Sequence, residues 1–272
     1  MTQLSEFKGK YLIQGKIHCL TGLHIGGSDT GIEIGGLDNP VIKDPLTDRP
    51  YIPGSSLKGK LRAMIEWSLG LIKPHSKHDG FMAYECPELE SSREEASDPE
   101  RWDKASIVAR LFGAASDDST IRTQAGPTRL TVRDAFLDEE SAKELERVQG
   151  PGVYTEIKTE NALDRVTSEA NPRPLERVQA GAEFDFTLLL DIYQEKDREL
   201  LHTLFAAMAL VQDSTLGGGG SRGHGQIAFQ DLDVTWRSAA YYTDGAEEKP
   251  IPAAGGQDVH ALVADFDAQD WG

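Results

Sequence analysis

The chain has 272 residues and a mass of 29.8 kDa, which allows one large domain or two small ones. It has neither the long apolar run of a membrane span nor an apolar N-terminal signal region, so we expect a soluble cytoplasmic protein. Its two cysteines, Cys19 and Cys86, exclude a framework of several disulfides. A net charge of −17 would oppose nucleic-acid binding if it were evenly spread. However, nine acids against two arginines in 79–103 and seven acids against one lysine in 243–272 account for −13 of it.

Hydrophobic periodicity in the rest of the chain predicts four strands and two helices. In chain order these are a strand from Tyr11 to Cys19, a helix at 56–69, strands from Leu130 to Phe136 and from Phe184 to Ile192, a helix from Arg198 to Val211, and a strand from Ile227 to Trp236 with a bulge near Asp231. The order β-α-β-β-α-β is the ferredoxin-like (RNA-recognition-motif-like) arrangement of an α+β fold. We therefore expect one domain at 1–242, followed by an acidic, flexible tail at 243–272.

Three connections are longer than this core requires, which is typical of functional insertions. They cover 21–54, 71–127 and 137–182. The second contains a short predicted helix from Ile107 to Leu111, and the third contains another from Glu139 to Val148. The rest of the third insertion, from Gly152 to Gly181, is rich in Thr, Val and Ile around a centre with Asn, Asp and Pro. This pattern predicts a protruding hairpin with its tip near 162–173.

The stretch 38–62 combines a proline-rich loop with a row of cations at the start of a helix. The prolines stiffen the loop, and Ser55 and Ser56 are candidate N-caps of the helix that follows. The first two turns of this helix carry Lys58, Lys60 and Arg62. Because backbone N–H groups at a helix start already favour an anion, the row predicts contacts with an RNA backbone. The alternative is that these cations form the solvated face of an amphipathic helix.

A glycine-rich segment, LGGGGSRGHGQ at 216–226, lies between the second helix and the last strand. Three of its glycines have the spacing G-x-G-x-x-G, but a dinucleotide site needs strand, glycines and helix in that order. No Gly-Lys-Ser/Thr follows to make a P-loop either. What remains is a backbone that another chain can approach closely, with Arg222 and His224 beside free amides. The alternative is a plain glycine-rich turn.

Five segments, in order along the chain, carry a family resemblance. They are TGLHIGGSD (21–29), GGLDNPVIKDP (35–45), YIPGSSLKGKLR (51–62), YTEIKTENALDRVTSEANPRPLERV (154–178) and GGGGSRGHG (217–225). Together they resemble the backbone subunit of the type III-A CRISPR effector, the Csm complex, which belongs to the RAMP superfamily. The resemblance implies a palm with RNA-recognition topology and a thumb hairpin. It also implies four partners: a CRISPR RNA, a single-stranded target RNA, copies of the same chain in a helical filament, and other Csm subunits.

The resemblance further implies cleavage of target RNA at regular intervals, with a divalent metal such as Mg²⁺ and cyclic phosphate and 5′-hydroxyl ends. The matching position is Asp38, which spacing alone does not distinguish from Asp29 or Asp44. Since an exposed aspartate is a poor base at neutral pH, we expect Asp38 to hold the metal or to orient the reactants. The other residues predicted to contact RNA are Arg165, Arg173 and Arg177 on the hairpin, and His24, Lys43 and Ser221, together with the serines and cations named above. For His24 the alternative is a packing role.

The sequence leaves two further alternatives. His75, His78 and Cys86 lie in the second insertion, but a structural zinc site takes four ligands and usually a Cys-x-x-Cys pair, so zinc is not expected. Instead of catalysing cleavage, Asp38 could be idle in a purely structural RNA-binding subunit of the same complex. A small-molecule enzyme that uses the glycine-rich segment is a third class, and it predicts nucleotide affinity without RNA.

Overall fold

The structure is a computed structural model that describes residues 6–27, 39–78, 81–85, 98–114 and 125–271. The strands in these ranges are β1 (Gly9–Cys19), β2 (Tyr51–Ile52), β3 (Lys73–His78), β4 (Phe81–Glu85), β5 (Leu130–Val132), β6 (Ala135–Leu137), β7 (Thr155–Leu163), β8 (Ala170–Val178), β9 (Glu183–Ile192), β10 (Ile227–Ser238) and β11 (Lys249–Pro250). The helices are α1 (Gly54–Ser68), α2 (Pro99–Phe112), α3 (Glu139–Gln149), α4 (Glu199–Gln212), α5 (Ala239–Thr243) and α6 (Val259–Ala264).

The larger sheet of the described chain has seven strands in the order β11-β10-β1-β9-β6-β2, with β5 also paired to β9. Every pairing in it is antiparallel. The β3–β4 pair and the β7–β8 pair form separate two-stranded sheets, and the second of these is the predicted hairpin. The fold is thus mixed α/β and built on antiparallel sheets.

The three longest strands of the larger sheet, β10, β1 and β9, match the predicted periodicity. Alternate residues of β9 from Phe184 to Ile192 are buried, as strict alternation predicts. Between β1 and β10 the register changes, because Gln14 pairs with Asp233 whereas Lys16 pairs with Gln230. The extra residue on β10 lies at the predicted position, where Asp231 has a φ of 52°. The predicted bulge near Asp231 is therefore confirmed.

The predicted strand from Leu130 to Phe136 is instead two short strands, β5 and β6. Both pair with β9, but the register changes by one residue between Val132, which pairs with Leu188, and Phe136, which pairs with Asp185. Asp134 lies in the interruption, and its carboxylate accepts a hydrogen bond from Gly54 N–H at 2.7 Å. The prediction of one continuous strand was wrong. The Asp134 side chain accepts a hydrogen bond from the first residue of α1, and the strand is interrupted at this residue.

Helix α4 is apolar on nearly all sides, and other elements of the fold cover it on several of them. It packs against α1, β10 and α6, and most of its side chains from Leu200 to Val211 are buried. Helix α2 is longer than the predicted helix from Ile107 to Leu111; it begins after Asp98, whose side chain accepts from Arg101 N–H. No helix within the described ranges is long and apolar enough to cross a membrane.

The C-terminal segment does not match the predicted flexible tail, because residues 249–271 pack on the body of the protein. Strand β11 pairs with β10, and Ile251, Val259 and Leu262 are buried. The Trp271 ring stacks on Phe266 at 4.7 Å between centroids. The acids that suggested disorder are on the outside, whereas the apolar residues between them cover α4.

Candidate nucleic-acid interface

Asp38, the residue predicted to be catalytic, lies outside the described residues. The segment that follows it, 39–43, runs beside 25–27 and is held there by backbone hydrogen bonds. These join Gly27 N–H to the Pro40 carbonyl oxygen at 3.0 Å, and Ile42 N–H to the Ile25 carbonyl oxygen at 2.9 Å. The chain immediately after Asp38 is therefore part of the ordered body of the protein.

His24 joins this segment to the β7–β8 hairpin. The residue is only 4% exposed. Nδ1 lies 2.6 Å from the Glu176 carbonyl oxygen, so Nδ1 carries the hydrogen, and Nε2 accepts from the Asn39 side-chain amide at 3.0 Å. Both ring nitrogens thus have partners within the chain, as the alternative packing role requires, and contact of His24 with RNA stays a prediction.

Glu176, near the end of β8, is a second connector that the sequence did not reveal. Glu176 is 6% exposed, and its carboxylate accepts from Val41 N–H at 2.8 Å, from the Thr155 hydroxyl at 2.5 Å and from Lys43 Nζ at 3.0 Å. Burial alone would raise the pKa of the Glu176 carboxyl, but these three donors outweigh it and hold the pKa below its ordinary value. The available signal was an acid two residues before Val178, on the inward face of the strand.

The glycine-rich segment also contacts the hairpin. His224 is fully buried, and its Nε2 lies 2.7 Å from Glu160 Oε1, while Nδ1 accepts from Arg177 at 3.4 Å. Glu160 also accepts from Arg222 Nε at 2.9 Å, and Arg177 forms an ion pair with Glu156 at 2.7 Å. No acid lies within 216–226, yet acids from β7 neutralise its cations. Three of the residues predicted to contact RNA, Arg177, Arg222 and His224, are therefore brought together where the glycine-rich segment meets the hairpin.

The close approach of backbone expected at the glycines occurs within the chain itself. Gly217 has a φ of 76°, and a Cβ there would lie 2.2 Å from the His24 carbonyl oxygen. Gly218 N–H donates to the same oxygen at 2.8 Å. Only glycine fits at Gly217, and the segment therefore packs directly against the backbone of His24.

The three cations predicted to form a row on α1 each contact a different part of the chain. Lys58 Nζ donates to the Leu130 carbonyl oxygen at 3.0 Å, and Lys60 Nζ donates to the Ser214 hydroxyl at 3.2 Å. Arg62 forms an ion pair with Glu66 at 2.6 Å. Burial lowers the pKa of Lys58, with a smaller contribution from Arg62, and burial also lowers the pKa of Lys60. Of the three, Lys60 contacts Ser214, which lies two residues before the glycine-rich segment.

Neither Ser55 nor Ser56 is the N-cap of α1, so this prediction was wrong. The helix begins at Gly54, two residues earlier than predicted, after Pro53, which has no side chain able to cap. The hydrogen bond from Gly54 N–H goes to Asp134 instead. The cap comes from another element because β2, which ends two residues before α1, pairs with β6 next to Asp134.

The outer end of the hairpin carries the exposed cations. Arg165 and Arg173 are exposed, and neither forms an ion pair with another described residue. Val166 in the end turn is 92% exposed, and Leu163 beside it is 57% exposed. Ser221 is exposed in the short 3₁₀ turn at Gly220–Arg222. These residues are free to meet a ligand or a partner, unlike the cations at the base of the hairpin.

Metal ligands do not cluster in the part of the chain that is described. No group of three or more His, Cys, Asp or Glu side chains there is close enough to hold a metal ion. For the zinc hypothesis, His75 and His78 lie on strand β3, and Cys86 is outside the described residues. Both oxygens of Glu176, the carboxylate that accepts from Val41 N–H, are occupied by protein donors.

The comparisons with known proteins agree with one another. The RAMP superfamily model matches residues 16–228. A curated relative from Methanothermobacter thermautotrophicus, "CRISPR system Cms endoribonuclease Csm3", is 40% identical over 257 residues, which are 90% of this chain and 94% of that protein. The Methanocaldococcus jannaschii protein of the same name is 36% identical over 269 residues, 97% of this chain and 96% of its own.

Among solved structures, the chain resembles one described as the Csm3-Csm4 subcomplex in the type III-A CRISPR-Cas interference complex. The TM-score is 0.56 with 27% identity, over 98% of this chain and 99% of that one. A Csm3 crystal structure from Methanopyrus kandleri has the same fold, with a TM-score of 0.65 and 22% identity over 98% of this chain and 100% of that one. The sequence match over most of the chain and the shared fold together show that this protein belongs to the RAMP superfamily and, within it, to the family of the Csm3 proteins.

Proposed function

We propose that this chain is the RNA-binding backbone subunit of a type III-A CRISPR effector in the cytoplasm. In this proposal it binds a CRISPR RNA, stacks in copies with other Csm subunits, and cleaves complementary target RNA at regular intervals as part of antiviral defence. The names of its relatives, which are endoribonucleases of this system, support the activity. The observation that carries the proposal is the connection through His24 and Glu176 between the segment after Asp38 and the base of the hairpin.

For the palm we propose the ferredoxin-like arrangement. The strand order β10-β1-β9 with β5 and β6 on the far side of β9 is the order that this arrangement requires. Helix α1 follows β1 and helix α4 follows β9 in the chain, as the two crossover helices of that topology do. The strands β2 and β11 are short additions at the two edges.

The proposed reaction is attack of a ribose 2′-hydroxyl on the neighbouring phosphate, which leaves a 2′,3′-cyclic phosphate and a 5′-hydroxyl. The attacking and leaving oxygens must be in line, so the protein's main task is to hold a bent RNA in position. Asp38 would bind Mg²⁺, which neutralises charge on the phosphate. Water and phosphate oxygens would complete the coordination of an ion held in this way, as is usual for Mg²⁺.

The alternative is a subunit in which Asp38 is idle and the chain only holds RNA. Assembled complexes with wild-type chain and with Asp38→Ala separate the two functions when each is given a complementary RNA and Mg²⁺. We expect cleavage to fall by about 10²- to 10⁴-fold, the range of a residue that takes part in the chemistry. Guide retention and target binding should not change. Cleavage at the wild-type rate would favour the idle subunit, and failure to assemble would assign Asp38 a structural role.

A further inference from the structure

One carboxylate of the β7–β8 hairpin is held by two donors of the glycine-rich segment at once. Glu160 Oε1 lies 2.7 Å from His224 Nε2, and Glu160 Oε2 accepts from Arg222 Nε at 2.9 Å. His224 Nδ1 accepts from Arg177, so the ring hydrogen is on Nε2 and is donated to Glu160. The glycine-rich segment therefore already binds an anion, and that anion belongs to the protein itself.

A phosphate of an RNA backbone would use the same two donors, because guanidinium and imidazole N–H groups bind phosphate and carboxylate alike. The hydrogen bond from His224, and then the one from Arg222, lowers the pKa of Glu160, so its carboxylate is charged at neutral pH. The His224 side chain has no exposed surface, and its ring has a single N–H to donate. A phosphate can reach that N–H only when Glu160 leaves it.

The pairing of the two hairpin strands provides a second partner for Glu160. Residues directly opposite each other in an antiparallel pair lie on the same face, with their Cβ atoms about 5 Å apart. Glu156 lies opposite Arg177, and these two side chains form an ion pair at 2.7 Å. Glu160 lies opposite Arg173 in the same register, yet Arg173 forms no ion pair with another residue in the described ranges. Glu160 thus contacts the glycine-rich segment instead of the cation across the strands.

We propose that Glu160 is a switch between these two partners. In the RNA-free chain its carboxylate occupies the phosphate site at Arg222 and His224, and a phosphate of the guide RNA displaces it onto Arg173. Because Glu160 exchanges one cationic partner for another, the displacement leaves no carboxylate unpaired and costs little. The hairpin is therefore bound to the glycine-rich segment through Glu160 until RNA takes its place.

The inference rests on the proposed binding of guide RNA and adds the step that opens the site. It assigns Arg173 a role different from the one that the sequence predicts, because the cation receives Glu160 and does not meet the RNA. Direct contact of Arg173 with RNA is the competing outcome. The two roles differ in how a substitution of Arg173 depends on the presence of Glu160.

Binding of a labelled single-stranded RNA to the purified, RNA-free chain tests the displacement. Glu160→Gln keeps an acceptor for the His224 N–H but removes the charge that competes with phosphate. We expect this variant to bind the RNA about threefold to tenfold more tightly than wild type, the effect of losing a competing charged pair. The matched control is Glu169→Gln, which removes one charge from the exposed end of the same hairpin. Its affinity should differ from that of wild type by less than about twofold, because an exposed charge is screened.

A double-mutant cycle with Arg173→Gln separates the switch from simple repulsion between Glu160 and RNA. In the wild type, Arg173→Gln should weaken RNA binding by about twofold to fivefold, because the displaced carboxylate loses its second partner. In the Glu160→Gln background the same substitution should have no effect. Equal losses in the two backgrounds would show that Arg173 contacts RNA directly and would overturn the switch. Glu160→Gln that binds RNA no more tightly than Glu169→Gln would overturn it as well.

The outcome for the wild type distinguishes this inference from the function on which it rests. Thermal unfolding shows that each variant is folded, and Glu160→Ala repeats the cycle with a side chain that neither donates nor accepts. A wild-type chain that binds RNA without coupling between Glu160 and Arg173 rejects the switch alone. A wild-type chain that binds no RNA rejects the proposed function and the switch together.

Discussion

His24, Glu176 and His224 are polar residues that the structure buries almost completely, at 4%, 6% and 0% exposure. A buried polar group lowers stability unless it is hydrogen-bonded, and each of these three has partners for its polar atoms. They connect the hairpin to the segment after Asp38 and to the glycine-rich segment. RNA contact by His24 and His224 stays a prediction. An alanine at either position would remove these intrachain hydrogen bonds as well as any contact with RNA.

Glu176→Gln should lower the free energy of unfolding at neutral pH by roughly 1–3 kcal/mol. The amide still accepts one hydrogen bond, but Lys43 loses the negative charge that it pairs with, and one donor meets an NH₂ group. Chemical denaturation of the two proteins measures the difference. Glu169→Gln, on the exposed end of the hairpin, is the matched control and should leave stability unchanged.

The same substitution should have an effect that depends on pH. The pKa of Glu176 is lower in the folded protein than its ordinary value of 4.5, so the carboxylate stabilises the fold above that pH. This contribution is lost as the pH falls through the folded-state pKa. The gap between Glu176→Gln and wild type should therefore be largest near pH 7 and should shrink below about pH 4.5. A gap that is constant from pH 7 to pH 3 would contradict the assignment.

At the scale of an element, the start of helix α1 depends on a residue 80 positions away. Asp134 provides the hydrogen bond to Gly54 N–H that Ser55 and Ser56 do not make. Asp134→Ala should therefore cost about 1 kcal/mol of stability, as the loss of an N-cap does.

Thermal unfolding of Asp134→Ala, Ser55→Ala and Ser56→Ala measures that cost. The two serine variants should unfold at the temperature of the wild type because neither hydroxyl caps the helix. If Ser56→Ala is destabilised as much as Asp134→Ala, the serine contributes to the cap after all.

At the scale of the whole molecule, the C-terminal segment packs on the core and is not a flexible tail. The Trp271 ring packs on Phe205 and Phe266, at 5.5 and 4.7 Å between centroids, and the Tyr11 hydroxyl donates to the Trp271 carbonyl oxygen at 2.8 Å. Trp271→Ala should therefore lower the free energy of unfolding by about 3 kcal/mol, the scale for a buried aromatic side chain.

Trp67 on α1 provides a control of the same residue type. It is 62% exposed, whereas Trp271 is 9% exposed, so Trp67→Ala should cost less than about 0.5 kcal/mol. Urea titrations of the two variants compare them directly. Equal losses would mean that the segment after residue 249 does not cover α4 in solution.

The sequence by itself determined the elements whose signal is local. Strict alternation predicted β9, the apolar run predicted α4, and the pattern around Asp231 predicted the bulge, because strand and helix periodicity is set by neighbours a few residues apart. The same information predicted the hairpin and, through its motifs, the family. It could not show which donors and acceptors would meet.

Only the tertiary structure decided the partners of the candidate site residues. Glu176 meets Val41 across 135 positions and Glu160 meets His224 across 64, so no window of sequence reveals that the cations near the glycines are neutralised. The same holds for the division of Lys58, Lys60 and Arg62, for the cap from Asp134 and for the packed C-terminal segment. Charge density suggested a flexible tail, yet the apolar surface of α4 needed a cover, and burial of that surface is a property of the assembled fold.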